Sequence, residues 1–207
     1  MQHFFEDRKW LIRLGIILVL AAVIVLEASG ALTGPYQYQG SLIDPPSPAP
    51  AFDLPSTRGT NFALTEQRGQ AVVLFFGYTS CPDICPTTLG DFKAVQSRLG
   101  KQADRVEFVF ITVDPERDNL AKMKEYVEIF DPGFVGLSGR AEQLQPVWEA
   151  YGIYAEQRDV GSAGGYLVDH TARMYVINPE GELQLTFPQG MAPEAMADDL
   201  AHLLSES

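Results

Sequence analysis

Cysteine is scarce in this sequence: the 207 residues include only two, Cys81 and Cys85. Two cysteines cannot build a fold stapled by several disulfides, and they cannot supply the four thiolates of an all-cysteine zinc module. They are also too few for an iron–sulfur cluster. The folded part of the chain must therefore be stabilised by a hydrophobic core, and apolar residues make up 46% of the sequence.

Basic residues are also few, with 15 Lys and Arg against 27 Asp and Glu, which gives a net charge of -12. Proteins that bind the phosphate backbone of nucleic acids need clustered Lys and Arg, so we predict no nucleic-acid partner. The length allows one domain plus an appendage but is short for two full domains.

Charged residues are absent from Leu14 to Leu26, a run of thirteen residues. Extended back to Trp10, the apolar segment is interrupted only by Arg13. It would span roughly 26 Å as a helix, close to a bilayer core of about 30 Å. Because Arg8, Lys9 and Arg13 precede the run, the positive-inside rule places the N-terminus in the cytoplasm.

We predict that residues 1–30 form a cytoplasmic tip and a transmembrane anchor in a bacterial inner membrane, with the remainder in the periplasm. The small residues 28–30 leave a cleaved signal peptide as an alternative, and a buried core helix is a third. Residues 31–50 are rich in Gly, Pro, Ser and Gln and are predicted to be a proline-rich tether. Residues 51–207 are then the folded domain.

Strand and helix patterns alternate within residues 51–207. Ala71–Tyr78 and Val106–Val113 are apolar runs, typical of strands covered on both faces of a parallel sheet. The segment Pro86–Leu99 between them has apolar residues at helical spacing. A predicted hairpin and a final helix close the chain. This order predicts a thioredoxin-like α/β domain with residues 131–170 inserted before the hairpin.

Both cysteines follow the first predicted strand and lie where the next helix opens. Unpaired N–H groups and the helix dipole favour thiolates at such a position. A purely structural disulfide would close a loop of only five residues and contribute about 2 kcal/mol. We therefore interpret Cys81 and Cys85 as a reactive or metal-binding pair.

Two thiolates are soft ligands that suit Cu(I) or Zn(II), and a third ligand must come from elsewhere. His3 lies on the predicted cytoplasmic side, and His202 in the final helix is most simply a surface residue. His170 lies at the approach to the terminal hairpin, and in a thioredoxin-like domain that approach faces the cysteine loop. The two cysteines and His170 suit three-coordinate Cu(I), whereas structural zinc needs a fourth ligand, for which Asp169 is a candidate.

From Phe52 to Leu204 the chain resembles the Sco/SenC family, which are membrane-anchored copper-binding factors of cytochrome c oxidase assembly. Three blocks in the family's order carry the resemblance: FFGYTSCPDICPTTL at 75–89, VDPERD at 113–118 and YLVDHTARMYVINPEGEL at 166–183.

The resemblance implies that copper, as Cu(I) or Cu(II), is bound by Cys81, Cys85 and His170. It implies that Asp114 supports the copper site without binding the metal. From the residues alone, the same VDPERD block also fits a capped turn with Asp118 as the helix N-cap. The implied function is that of a copper chaperone, not an enzyme, which delivers copper to the CuA site of cytochrome c oxidase subunit II. Other copper chaperones and thiol reductants are further expected partners.

Two other functions use the same cysteines. A thiol-disulfide oxidoreductase could use Cys81 and Cys85 as a redox-active pair that reduces the CuA-site cysteines. Their spacing, with three intervening residues, differs from the CxxC motif of general thioredoxin-type exchange. A peroxidase or redox sensor would need an arginine beside the reactive cysteine, and none adjoins either cysteine in the sequence.

Overall fold

A computed structural model of the chain describes residues 3–28, 34, 36–162 and 165–206. These residues fall into two compact units, Met1–Gln37 and Tyr38–Ser207.

The first unit contains helix α1 (His3–Ala28). Side chains along its middle, such as Ile17 and Val19, are exposed. Within the residues that the structure describes, no helix has both the length and the apolarity required of a membrane span. The transmembrane anchor expected for residues 1–30 therefore stays a prediction.

The second unit contains strands and helices in alternation. The strands are β1 (Ser41–Pro48), β2 (Asp53–Pro55), β3 (Asn61–Ala63), β4 (Ala71–Gly77), β5 (Val106–Thr112), β6 (Val135–Leu137), β7 (Ala155–Ser162), β8 (Gly165–His170), β9 (Arg173–Ile177) and β10 (Glu182–Pro188). The helices are α2 (Ile84–Leu99), α3 (Leu120–Glu128), α4 (Ala141–Ala150) and α5 (Pro193–Glu206).

Six strands form one sheet in the order β1-β10-β9-β4-β5-β6. Strands β4 and β5 are parallel and joined through α2, whereas β9 and β10 form an antiparallel hairpin. Every residue of β4 is buried, because helices or loops cover both faces of this central strand. The register places Phe75 opposite Phe110 on one side and Met174 on the other. The prediction of a thioredoxin-like α/β fold is confirmed for this unit.

The predicted tether differs from the structure over its second half. Residues Ser41–Pro48 form β1, which pairs antiparallel with β10 at the edge of the sheet. An edge strand accepts prolines because one side of its backbone needs no partner, so the proline-rich sequence concealed a strand. Just before β1, the amides of Gln39 and Gly40 donate to the buried carboxylate of Asp199.

The predicted insertion, residues 131–170, contains β6, α4 and the hairpin of β7 and β8. Strands β7 and β8 pair only with each other among the described residues, with Ala155 opposite His170. Residues 163 and 164 lie outside the described residues. The hairpin therefore ends with His170 beside the central sheet, close to the start of α2.

Candidate metal centre

Cys81 and Cys85 lie on the connection from β4 to α2. Cys85 occupies the first turn of α2, where Pro86 is tolerated because its missing N–H would have had no helical partner. Its side chain is fully buried, whereas Cys81 in the preceding loop is partly exposed, and both are free thiols. The backbone N–H of Cys85 donates to Cys81 Sγ over 3.5 Å. The start of the helix thus points an N–H group at a sulfur, as expected for a stabilised thiolate.

His170 completes the group from the end of β8. Its Nε2 atom lies 3.7 Å from Cys85 Sγ, and its Nδ1 atom lies 3.1 Å from the carbonyl oxygen of Thr171. Because a carbonyl oxygen only accepts, this contact places a proton on Nδ1 and makes Nε2 the ring nitrogen that faces the sulfurs. A neutral imidazole in this orientation is a ready metal ligand.

One ligand atom from each of Cys81, Cys85 and His170 lies within 4.8 Å of the others. No other group of three or more His, Cys, Asp and Glu side chains in the described part of the chain is arranged in this way. Asp169, the candidate fourth ligand for zinc, is instead more than half exposed and forms an ion pair with Arg158 at 3.1 Å. The assembled donors are therefore two sulfurs and one nitrogen, a soft set that suits Cu(I).

The two cysteines have opposite protonation tendencies. The pKa of Cys81 is lowered, first by a hydrogen bond with Cys85 and further by His170, against the opposing effect of burial. The pKa of Cys85 is raised, because its thiol donates to Cys81 and because it is buried. These opposite shifts favour a thiolate at the more accessible sulfur and a proton at the buried one.

Gly77, the last residue of β4, makes room for the inner sulfur. A Cβ atom at this position would lie 2.6 Å from Cys85 Sγ and 2.7 Å from the ring of Phe110. Any larger residue would displace the thiol or the ring. Sequence reasoning missed this glycine because its φ is ordinary and its requirement comes from the close approach of another element.

Asp114, expected to support the site, is buried, forms an ion pair with Arg117 and accepts a hydrogen bond from Tyr166 Oη at 2.7 Å. Tyr166 belongs to β8, four residues before His170. The contacts of Asp114 therefore reach the site through the strand that carries the histidine, and its supporting role stays a prediction.

The interpretation of Asp118 as a helix N-cap is wrong. The cap of α3 is Asn119, whose side chain accepts from the Lys122 amide at 3.0 Å. Asp118 is fully buried and accepts from the Thr79 amide and from Thr112 Oγ1, both at 2.9 Å. Because Thr79 lies two residues before Cys81, this carboxylate fixes the loop that carries the first cysteine.

A cavity of about 360 Å³ opens beside the donors. Its walls include Cys81 and His170 but not Cys85. The other lining residues are Tyr78, Pro82, Asp83, Ile84, Arg158, Leu167, Val168 and Asp169. An approaching molecule would meet the outer sulfur and the imidazole first.

Sequence comparison gives a match to the SCO1/SenC family over residues 42–205. A mitochondrial SCO2 homologue of Bos taurus is 36% identical over 151 residues, which cover 72% of this chain and 57% of that protein. An SCO2-like protein of Rickettsia conorii is 33% identical over 150 residues, covering 72% of this chain and 73% of the relative. The chain thus spans less than two thirds of the bovine protein's length.

Comparison with solved structures also finds Sco proteins. The structure of Bradyrhizobium japonicum ScoI with copper bound is 37% identical, with a TM-score of 0.70, and the match covers 76% of this chain and 99% of that one. Arabidopsis thaliana ScoI with copper bound is 30% identical, with a TM-score of 0.72, covering 78% and 100% respectively.

Proposed function

The chain belongs to the SCO1/SenC family, and on that premise we propose that it is a copper chaperone that binds one copper ion through Cys81, Cys85 and His170. The single observation that carries this proposal is the convergence of their ligand atoms within 4.8 Å. The relatives from Bradyrhizobium japonicum and Arabidopsis thaliana were solved with copper bound, which supports the choice of metal.

The protonation of the three donors fits a soft monovalent cation. The lowered pKa of Cys81 favours a thiolate, His170 turns Nε2 toward the sulfurs, and Cys85 needs to release one proton when copper binds. Cu(I) accepts two sulfurs and a nitrogen, whereas structural zinc would need a fourth ligand that Asp169 does not provide in this conformation.

The recipient we propose is the CuA site of cytochrome c oxidase subunit II, during assembly of the oxidase. The cavity supports a directional transfer, because Cys81 and His170 line it and Cys85 does not. A thiolate of the recipient would enter the cavity and bind copper as the outer ligands leave, and the buried Cys85 would be displaced last.

Copper binding is tested by anaerobic titration of the full chain, reduced and in detergent, with Cu(I). We expect one copper per chain, and we expect His170→Ala and Cys85→Ser to lose retention against a competing chelator. His202→Ala is the matched control, because His202 lies on α5 and pairs with Glu206 rather than with the cysteines. Unaltered copper retention in Cys85→Ser would contradict the proposal. Delivery is tested by mixing the loaded chain with reduced, metal-free subunit II, separating the two proteins and measuring the copper bound to each.

A second candidate function is thiol-disulfide exchange, in which the protein reduces the CuA-site cysteines. It is favoured by the pairing of an accessible thiolate at Cys81 with a buried thiol at Cys85. The Cys81 thiolate would attack a disulfide of the partner and form a mixed disulfide, with one partner thiolate leaving. Cys85 would then lose its proton and displace the second partner thiolate, so that the partner becomes a dithiol and the chain a disulfide.

His170 separates the two functions. His170→Ala removes a metal ligand and leaves both sulfurs in place, so the variant should lose copper retention and keep exchange with a model disulfide. If neither the wild type nor this variant exchanges disulfides, the redox candidate fails and the chaperone proposal stands.

We also propose that α1 anchors the chain in a bacterial inner membrane with the second unit in the periplasm. The exposed apolar side chains along α1, such as Leu18 and Ile24, support an apolar surrounding. Expression in bacteria followed by alkaline extraction of membranes tests this, and release of the full chain into the soluble fraction would contradict it.

A further inference from the structure

Arg117 lies between β5 and α3, outside the donor group, and its side chain is mostly buried. The guanidinium forms an ion pair through Nε with Asp114, and its Nη1 donates to the carbonyl oxygen of Tyr166 at 2.9 Å. Its Cζ atom lies 3.7 Å from the centroid of the Tyr166 ring. Its Nη2 atom is buried and makes no hydrogen bond to the residues that the structure describes. Burying most of a guanidinium while one of its nitrogens has no partner costs free energy, which indicates that Arg117 has a role other than solvating the surface.

Asp114, Arg117 and Tyr166 form a closed cluster, which we name the Arg117 cluster. Tyr166 Oη donates to Asp114 at 2.7 Å, so each member contacts both of the others. Two members come from the turn after β5, and the third comes from β8. The cluster therefore joins the central sheet to the hairpin that ends in His170.

The hairpin of β7 and β8 depends on side-chain contacts of this kind. Its strands form a separate two-stranded sheet, with no ladder to the six-stranded sheet among the described residues. The link to that sheet is the short connection from His170 to β9, which begins at Arg173, so no backbone ladder fixes the first part of β8. The Arg117 cluster holds the first part of β8, four residues before His170.

Tyr78 extends the connection to the histidine itself. The Cζ atom of Arg117 lies 5.6 Å from the centroid of the Tyr78 ring, on the loop just before Cys81. The ring of Tyr78 in turn lies edge-on to the ring of His170, with centroids 5.8 Å apart. Arg117 thus contacts the strand that carries the histidine and the ring that packs against it.

We propose that Arg117 is a positioning residue that holds His170 at the cysteine pair by fixing β8 to the turn after β5. Only a guanidinium can ion-pair, donate to a backbone carbonyl and stack on a ring at once, because it is a planar fork with several donors. The proposal rests on the proposed function, because the expected effect of positioning His170 is tighter copper binding. The position of β8, on which this effect depends, can be measured without copper.

A double-mutant cycle on the full chain tests the expected effect of Arg117 on copper binding. Cu(I) affinity is measured by competition with a chromophoric chelator for the wild type, Arg117→Gln, His170→Ala and the double variant. We expect Arg117→Gln to weaken binding about 10- to 100-fold, the range for residues that orient metal ligands. In the His170→Ala background the same change should cost less than about twofold, because no histidine is left to position. Equal losses in both backgrounds would overturn the proposal.

Arg58→Gln is the matched control. Arg58 also pairs with a carboxylate, Glu107 at 2.7 Å, and also donates to a backbone carbonyl, that of Gly133 at 3.3 Å, but it contacts neither β8 nor the cysteines. We expect Cu(I) affinity to be unchanged in this control. A loss as large as that of Arg117→Gln would mark a general structural effect and overturn the proposal.

Hydrogen exchange of the metal-free chain tests whether Arg117 fixes the position of β8. The amides of β8 should exchange faster in Arg117→Gln than in the wild type, while those of β4 and β5 stay protected. Tyr166→Phe, which removes only the hydroxyl that reaches Asp114, should shift the same amides by a smaller factor and serves if Arg117→Gln does not fold. Unchanged exchange in β8 would overturn the proposal. A wild type that binds no copper but shows the expected exchange would instead defeat the proposed function and leave the role of Arg117 standing.

Discussion

Cys85 Sγ and His170 Nε2 lie 3.7 Å apart although 85 positions separate the two residues in the chain. One is fixed in the first turn of α2, and the other ends a hairpin that lies outside the main sheet. A small displacement of either element would therefore separate the sulfur from the nitrogen. Substitutions of the residues around them test this arrangement.

Gly77→Ala should disturb the inner sulfur. The added methyl group would lie 2.6 Å from Cys85 Sγ, so the thiol or the Phe110 ring must move. We expect a loss of about 1–3 kcal/mol in the free energy of unfolding, the usual cost of overpacking, together with weaker Cu(I) binding. Chemical denaturation and chelator competition measure the two effects.

Gly90→Ala is the matched control for that change. Gly90 lies within α2, and a Cβ atom there would meet nothing within 4 Å. Alanine should raise helix stability by about 0.5–1 kcal/mol and leave copper binding unchanged. If both alanine variants behaved alike, the close approach at Gly77 would have no consequence for the site.

Alkylation should distinguish the two cysteines in the metal-free, reduced chain. The pKa of Cys81 is lowered to about 3, chiefly by its hydrogen bond with Cys85, and its sulfur is accessible, whereas the pKa of Cys85 is raised. An ordinary thiol loses about tenfold in thiolate for each pH unit below its pKa of about 8.5. Iodoacetamide should therefore modify Cys81 first, at a rate that stays nearly constant from about pH 8 down to about pH 5. Peptide mass spectrometry identifies the modified residue.

Cys85→Ala should raise the pKa of Cys81 toward that of an ordinary thiol. The substitution removes the hydrogen bond that contributes most to the lowered pKa. The alkylation rate of Cys81 should then fall steeply as the pH drops below 8, because the thiolate is protonated in that range. A flat profile in this variant would show that another group stabilises the thiolate.

Asp118→Ala should loosen the loop that carries Cys81. It would leave the partly buried amide of Thr79 and the buried hydroxyl of Thr112 without their acceptor. Each unsatisfied buried group costs about 1–3 kcal/mol, so we expect a large loss in the free energy of unfolding. Asp104→Ala, at an exposed aspartate, should change it by less than about 0.5 kcal/mol. Similar unfolding curves for the two variants would contradict the bracing role of Asp118.

Asp199→Ala should release the start of the folded unit. Its buried carboxylate accepts from the amides of Gln39 and Gly40 at 3.0 and 2.7 Å. These amides should exchange slowly in the wild type and much faster in the variant, and exposed Asp198→Ala should leave them unchanged. Fast exchange of both amides in the wild type would restore the interpretation of this segment as a free tether.

The strands and helices near the site were predictable because their local patterns were strong. Ala71–Gly77 is buried on both faces and therefore apolar throughout, and α2 shows apolar residues at helical spacing. Strand β1 was missed because its prolines indicate extended, unpaired chain, and only its position at the sheet edge makes them acceptable. Asp118 was misassigned because a capping aspartate and a buried bracing aspartate share the same local sequence.

By itself, the sequence determined the chemistry: two cysteines placed at a strand-to-helix turn, a histidine ahead of the last hairpin, and family blocks in a fixed order. Those features are local, since they depend on residue type and spacing. Only the tertiary structure decided the geometry, namely the approach of His170 to Cys85, the space left by Gly77 and the contact of Arg117 with Tyr166. Each joins elements far apart in the chain, and sheet order and side-chain packing, rather than local pattern, set such distances.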